Sequence, residues 1–221
     1  MTVNDDGIVI PVYKPKGMTS FEVVRTVRRE LSVRKVGHAG TLDPLAEGLL
    51  IVLTGTKTKL MSEFLKLEKE YVADLKLGVV SKSWDLETEL TERSAVITLK
   101  PEMIYNCLDK FKGRIDQLPP EYSATWVNGK RAYNLARRGV DFDLKPKSVT
   151  ISEIELLKFD PPLLSIRVVC SSGTYIRSLA RDIGEELGCG AVLAGLVRTR
   201  IGTFTSLEAV KLEDLAVRHA A

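Results

Sequence analysis

The sequence predicts an α+β fold organised around a large mixed, mainly antiparallel sheet flanked by helices and loops. Three observations carry that expectation. Short β-branched or alternating runs recur along the chain. Helix-period stretches fall between some of them, but without the regular alternation of a parallel βαβ fold. A chain of 221 residues, 44% hydrophobic and 28% charged, is also large enough to bury one sizeable core. A single domain over residues 1–221 is therefore expected, with an insertion at about 119–145.

The elements follow in order. GIVIPVYK reads as a strand that ends in the Pro- and Gly-rich turn KPKGMTS. Thr19 or Ser20 can cap the next helix, whose Val23, Val24, Val27 and Leu31 form an apolar stripe at helical spacing. After GHAGTLDPLAEG, the run LLIVL is short, apolar and partly β-branched, which favours a buried strand; KTKLMSEFLKL then reads as helix. In YVADLKLG, Tyr71, Ala73, Leu75 and Leu77 alternate with Val72, Asp74 and Lys76, the pattern of a half-buried strand. SKSWDLETELTE is a polar connection, and Pro101 suits the first turn of a helix running through Phe111.

Residues 112–145 are the least regular part, with Pro-Pro, an Asn-Gly turn signal and a short basic helix closed by Gly139. Long excursions of this kind in compact domains are usually functional. KSVTISEIELLKF and LLSIRVVC are two further strands. TYIRSLARDIGEEL is a helix with Ile176, Leu179, Ala180, Ile183 and Leu187 on one face and Gly188 as its stop. LAGLVRTRIGTF reads as a last strand and SLEAVKLEDLAVRHA as a closing helix.

Composition narrows the function. No apolar run approaches the roughly 18–20 residues a membrane span needs, and MTVNDDGIVI lacks the form of a secretory signal. Cys107, Cys170 and Cys189 stand too far apart for a disulfide framework or a zinc spacing, and read as buried thiols of a cytoplasmic protein. Only His38 and His219 are present, so no metal site is expected. The net charge is +3, yet basic residues cluster in VRTVRRELSVRK, GKRAYNLARRG, YIRSLAR and VRTR. Composition leaves two readings of these clusters open, a phosphate-binding face and a solvated helix surface.

The stretch GHAGTLDPLAEG concentrates one histidine, three glycines and an Asp-Pro pair in twelve residues. Asp43 before Pro44 is a helix-start signal, and the glycines suit turns. Arg177 disturbs that structural reading. With Thr174 as cap it lies in the first helical turn, where the dipole disfavours a cation, and beside the apolar stripe. It calls for an anion, either a phosphate or a carboxylate such as Asp43; a plain salt bridge or a solvent-facing arginine is the structural alternative.

Taken in order, KPKGMTS, GHAGTLDPLAEG, KEY, YSATWVNGKRAY and CSSGTYIRSLARDIG resemble the motifs of the TruB family of tRNA pseudouridine synthases, from about Gly7 to Phe204. The resemblance implies the pseudouridine synthase fold with an RNA-binding thumb loop. It implies an enzyme that isomerises uridine 55 in the T-loop of tRNA, by an aspartate-dependent route with base flipping and without a cofactor. Asp43 matches the catalytic aspartate, Tyr71 the tyrosine that stacks on the target base, and Arg177 the arginine that pairs with the aspartate. Leu196 matches an apolar wall of the uracil pocket, and His38 the histidine that fills the space of the flipped base. Gly40, Thr41 and Tyr175 join the substrate-binding set by their places in the motifs. Lys14 belongs to an element read as packing beneath the catalytic loop. Lys130, Arg131, Arg137 and Arg138 match the thumb and are expected on RNA phosphates.

Several positions depart from the family pattern. Trp126 stands where a lysine is usual, Val197 and Lys147 where arginines are, and SKSWD in place of a Thr-rich turn. None is Asp43, Tyr71 or Arg177, so RNA affinity rather than chemistry is where they are expected to tell. The end of the sequence soon after the last core motif leads to the expectation of no PUA domain and of salt-sensitive tRNA binding. The expected partner is the tRNA T-arm, without guide RNA or membrane, with the protein acting as a monomer. Two alternatives have other classes: a non-catalytic tRNA-binding module of the same fold, and a glycosidase-like hydrolase with Asp43 as nucleophile. The latter chemistry usually needs a second carboxylate at a defined distance, for which Glu47 is only the nearest candidate and no convincing partner stands near these motifs.

Overall fold

A computed structural model describes residues 6–93, 99–127 and 129–215. Along the chain it forms β1 (Val9–Lys14), α1 (Ser20–Glu30), β2 (Val36–Ala39) and β3 (Glu47–Thr54). A 3-10 turn (Gly55–Leu60) leads into α2 (Met61–Lys66), followed by β4 (Lys69–Leu77), β5 (Val79–Val80) and β6 (Thr91–Glu92). Next come α3 (Pro101–Asp109), β7 (Gly113–Gln117), β8 (Trp126–Val127), β9 (Lys130–Arg131) and α4 (Ala132–Ala136). The described residues close with β10 (Lys147–Asp160), β11 (Leu163–Cys170), α5 (Ile176–Glu186), β12 (Ala191–Ile201), β13 (Phe204–Thr205), β14 (Val210–Lys211) and a 3-10 turn (Leu212–Asp214). Ten of the strands belong to one mixed sheet, as the α+β expectation required.

The chain divides into two compact units, Met1–Val72 with Leu196–Ala221, and Ala73–Gly195. In the first, β3 is the central strand. It runs antiparallel to β1 (Val12 opposite Leu50) and to β2 (His38 opposite Val52), and parallel to the end of β12 (Arg198 opposite Gly48). Leu50 and Val52 pack with Val12 of β1 and with Val23 and Val27 of α1. Leu49, Ile51 and Leu53 face the other way, onto Ala39, Ile201, Met61 and Phe64. Burial of both faces explains why LLIVL shows no polar alternation. The apolar stripe of α1 is placed as its spacing predicts, and Thr19 caps it. The Thr19 side chain accepts from the Glu22 N–H while Glu22 reaches back to the Thr19 N–H, a reciprocal capping box.

In the second unit β10 pairs antiparallel with β11 (Ile154 opposite Val168) and with β7 (Val149 opposite Ile115). Ile176, Leu179, Ala180 and Ile183 of α5 are buried, as predicted. Gly184 is buried too, at the point where α5 meets the chain entering β12. A Cβ there would lie 2.1 Å from the Ala191 nitrogen.

Three local expectations are corrected. Asp43-Pro44 starts no helix: the Ala46 N–H donates to the Asp43 carbonyl at 3.0 Å, closing a single turn, and β3 begins at Glu47. Tyr175, not Thr174, is the cap residue of α5, because the Thr174 hydroxyl is spent on the Ser171 carbonyl at 2.9 Å. The predicted closing helix is replaced over its described part by β14 and a 3-10 turn, since Val12 pairs with Val210 and draws this segment alongside β1; residues 216–221 lie outside the described residues.

In an open helix, glycine to alanine stabilises by about 1 kcal/mol. Gly184→Ala is expected to reverse that sign, costing roughly 1–3 kcal/mol through overpacking. Urea unfolding of the two proteins measures the difference, and a more stable variant would contradict the packing described for α5.

Candidate active site

The loop between β2 and β3 carries Asp43, and its backbone is pinned on both sides of that residue. Ser20, at the start of α1, is 2% exposed. Its hydroxyl accepts from the Leu42 N–H at 2.9 Å and donates to the Leu42 carbonyl at 3.1 Å. On the other side of Asp43, the Pro44 carbonyl accepts from the Gly17 N–H at 2.8 Å. The KPKGMTS element therefore does lie against the loop, and it fixes the residues flanking the aspartate. Asp43 itself is half-buried and Thr41 exposed.

A buried arginine grips the same loop further out. Arg198 of β12 is 1% exposed. Its Nε donates to the Leu49 carbonyl at 2.7 Å and its Nη2 to the Gly40 carbonyl at 3.0 Å. Two of the glycines answer to this residue. Gly48 has φ +102°, and a Cβ on it would fall 2.4 Å from the Arg198 carbonyl oxygen, so only glycine fits the register. Gly40, at φ +87°, turns the chain where its carbonyl meets the guanidinium.

Lys14, at the end of β1, is fully buried, and its Nζ donates to the carbonyls of Pro15 (3.0 Å) and Met18 (2.5 Å). Burial pushes its ammonium down from 10.5 to about 8, against the pull of the Asp43 and Glu47 carboxylates; Arg198 adds to the fall. His38 lies in β2. Its imidazole is shifted down from 6.5, by burial first and by the Arg198 cation second, and its Nδ1 is buried without a hydrogen-bond partner among the described residues.

Tyr71 is 8% exposed on the inward-facing side of β4. Its neighbours in KEY are anchored. Lys69 Nζ donates to the Leu65 and Leu67 carbonyls, each at 2.5 Å, and Glu70 accepts from the Thr199 hydroxyl at 2.7 Å. Leu196 is half-buried, two residues before Arg198 and so on the same face of β12. The first unit thus holds Lys14, His38, Gly40, Thr41, Asp43, Tyr71 and Leu196.

The second unit holds the remaining predicted residues, Arg177, Tyr175, Lys130 and Arg131. Arg177 is the second residue of α5 and only 4% exposed, so the unfavourable dipole position is real. It has an anion in Asp85, at 3.5 Å and itself 2% exposed, and it donates to the Tyr122 carbonyl at 2.8 Å. Asp85 also accepts from the Glu87 N–H at 2.9 Å, which orients its carboxylate. The start of α5 further anchors the base of the irregular segment. The Gln117 amide pairs with both backbone groups of Tyr175, the Tyr175 hydroxyl meets that of Thr125 at 2.9 Å, and Ser178 donates to the Leu118 carbonyl at 2.7 Å. Beyond it, Lys130 is exposed on the β8–β9 hairpin, where the Arg131 guanidinium lies 4.1 Å from the ring centre of the exposed Trp126. The basic GKRAYNLARRG stretch gives Arg137 a surface ion pair with Glu87 at 3.4 Å.

Sequence reasoning missed Ser20 as a loop anchor, Arg198 and Asp85. Ser20 was visible only as an alternative cap, Arg198 only as part of the basic VRTR, and no local pattern separates Asp85 from the other acids of SKSWDLETELTE.

The Lys14 shift has a definite sign. Between about pH 8 and 10.5 the unfolded chain binds the Lys14 proton and the folded one has lost it, so the stability of the native protein relative to Lys14→Met should rise across that interval. Urea unfolding of both proteins at pH 7.5, 9 and 10.5 (about the span of the shift) tests it; a difference flat with pH would refute the burial cost assigned to this ammonium.

The family model "TruB family pseudouridylate synthase (N terminal domain)" matches residues 28–176, and "tRNA pseudouridylate synthase B C-terminal domain" matches 177–220. The tRNA pseudouridine synthase B of Phocaeicola vulgatus is 51% identical over 95% of this chain and 89% of its own length. That of Clostridium tetani is 43% identical over 94% of this chain and 72% of its own. Among solved structures, a Cbf5–Nop10–Gar1 complex matches at 32% identity with a TM-score of 0.75, over 96% of this chain and 54% of that one. An H/ACA ribonucleoprotein bound to a substrate RNA containing 2′-deoxyuridine matches at 29% and 0.72, over 97% and 54%; this chain spans about half of either. With the Asp43 loop intact and a family model covering most of the sequence, the chain belongs to the TruB family of pseudouridylate synthases.

Proposed function

We propose that this protein converts uridine 55 in the T-loop of tRNA to pseudouridine, with Asp43 as the reacting carboxylate. The observation that carries the reading is the presentation of Asp43, on a loop whose flanking carbonyls and N–H groups are tied to Gly17, Ser20 and Arg198. Catalysis by one carboxylate demands a fixed approach, and a pinned loop supplies it. Relatives at about 51% identity bear the name tRNA pseudouridine synthase B, which supports tRNA as the substrate.

The isomerisation breaks the N1–C1′ bond and forms C5–C1′. The hydrogen on C5 leaves as a proton and N1 gains one, so no oxidant, reductant or energy source enters the balance. Asp43 begins this by attacking the sugar or the base, or by promoting loss of the C2′ proton. Tyr71 stacks on the base and Leu196 keeps water from it. Arg177, already paired with Asp85, is the cation assigned to Asp43.

Reaching a uridine inside a folded T-loop requires extruding it. His38 is placed in the vacated stack, a task suited to an imidazole that burial keeps neutral. Gly40, Thr41 and Tyr175 line the substrate, with Lys14 behind the loop. Lys130 and Arg131, on the exposed hairpin, meet RNA phosphates. The protein works in the cytoplasm as a monomer, on the T-arm itself and without a guide RNA.

Tritium release from tRNA labelled at C5 of its uridines tests the reading, because C5 must lose its hydrogen. Wild type should release tritium, Asp43→Ala should be slower by roughly a thousandfold or more, and a tRNA with cytidine at position 55 should release none above background. Binding of tRNA at low salt without release would instead identify a non-catalytic RNA-binding module.

A further inference from the structure

We propose that Arg198 is the positioning residue of the Asp43 loop, an inference that rests on the proposed function for its kinetic readout. Its guanidinium donates to a carbonyl at each end of the excursion that contains Asp43, Gly40 on one side and Leu49 on the other. These contacts join residues 158 and 149 positions apart in sequence. Ser20 and the Gly17 N–H hold the middle of the loop.

The local sequence is built to admit this side chain. Gly48 has no Cβ to collide with the Arg198 backbone, and Gly40 presents its carbonyl from a left-handed conformation. A Cβ on Gly40 would also sit 3.4 Å from Arg198 Nη1. Two of the three glycines of GHAGTLDPLAEG, Gly40 and Gly48, thus accommodate Arg198.

Its charge matters as well as its reach. Arg198 is 1% exposed, and among the described residues no carboxylate lies within ion-pair distance of it. Both of its partners are neutral carbonyls. A fully buried cation held only by backbone dipoles is costly unless nearby negative charge compensates it. Lys14, another buried cation of this unit, feels Arg198 together with the carboxylates of Asp43, Glu47 and Glu22. Arg198 therefore fixes the loop by geometry, through its two carbonyl contacts.

Lysine is not an equivalent. A single ammonium at the end of a flexible stem can serve one of the two carbonyls, whereas the planar fork serves both. Arg198→Lys should hold one end of the loop and Arg198→Met neither.

The test measures kcat, KM and tRNA affinity for wild type, Arg198→Lys and Arg198→Met, with amide hydrogen exchange over residues 40–49 as a readout independent of activity. Arg198→Met is expected to lose about a hundredfold in kcat, with KM and tRNA affinity within about threefold of wild type and faster exchange over the loop. Arg198→Lys should recover about tenfold of that loss. Unchanged kcat, a loss confined to KM, a lysine variant no better than methionine, or unchanged loop exchange would each overturn the proposal. If Arg198→Met does not fold, Arg198→Lys decides: reduced kcat at unchanged affinity supports positioning, and wild-type kcat refutes it. Absence of activity in wild type would refute the proposed function instead, and the exchange comparison would then decide the role of Arg198 alone.

Discussion

The parallel register of β12 on β3, with Arg198 opposite Gly48, is the constraint on which the rest of the first unit depends. It brings a side chain from the end of the chain onto a loop near its beginning. Without a glycine at position 48 the two backbones could not approach, and without that approach the guanidinium would not span Gly40 and Leu49. The capped start of α1 then supplies the inner hold through Ser20, and the KPKG turn through Gly17. The backbone on both sides of Asp43 is thereby held. Such preorganisation is what a reaction with one catalytic carboxylate requires.

The charges obey a related logic in each unit. Lys14 and Arg198 are buried where carbonyls can receive their hydrogen bonds, and the Asp43 and Glu47 carboxylates offset the Lys14 charge. Arg177 is buried at the wrong end of a helix dipole and is offset by Asp85. Buried ion pairs of this kind contribute little to stability relative to apolar packing, so their presence is better understood as holding particular geometries. His38 pays the reverse cost: its neutral form is favoured by burial and by the same Arg198 cation.

The elements with a strong period were legible in the sequence. The stripe of α1, the unbroken LLIVL of β3, the alternation of β4 and the buried face of α5 all lie where their spacing places them. Local signals misled where a distant contact decided the outcome. Asp43-Pro44 has the form of a helix start, yet β3 begins four residues later because its partners are β1, β2 and β12. Thr174 has the form of a cap, but its hydroxyl closes the preceding turn. At the site, Arg177 could be singled out because a cation in a first helical turn is locally anomalous. Asp85, Ser20 and Arg198 could not, since each acts on residues between 22 and 158 positions away and nothing in its own neighbourhood is unusual.

The proposed reaction has Asp43 acting on a uridine extruded from RNA. Its most direct test is a crystal structure of this protein with a T-arm stem-loop carrying 5-fluorouridine at position 55. That nucleotide is expected outside the helical stack, its ring against Tyr71, with a carboxylate oxygen of Asp43 bonded to it or within about 3.5 Å of its reacting carbon. A stacked uridine with Asp43 turned away from it, at full occupancy of the RNA, would contradict the account.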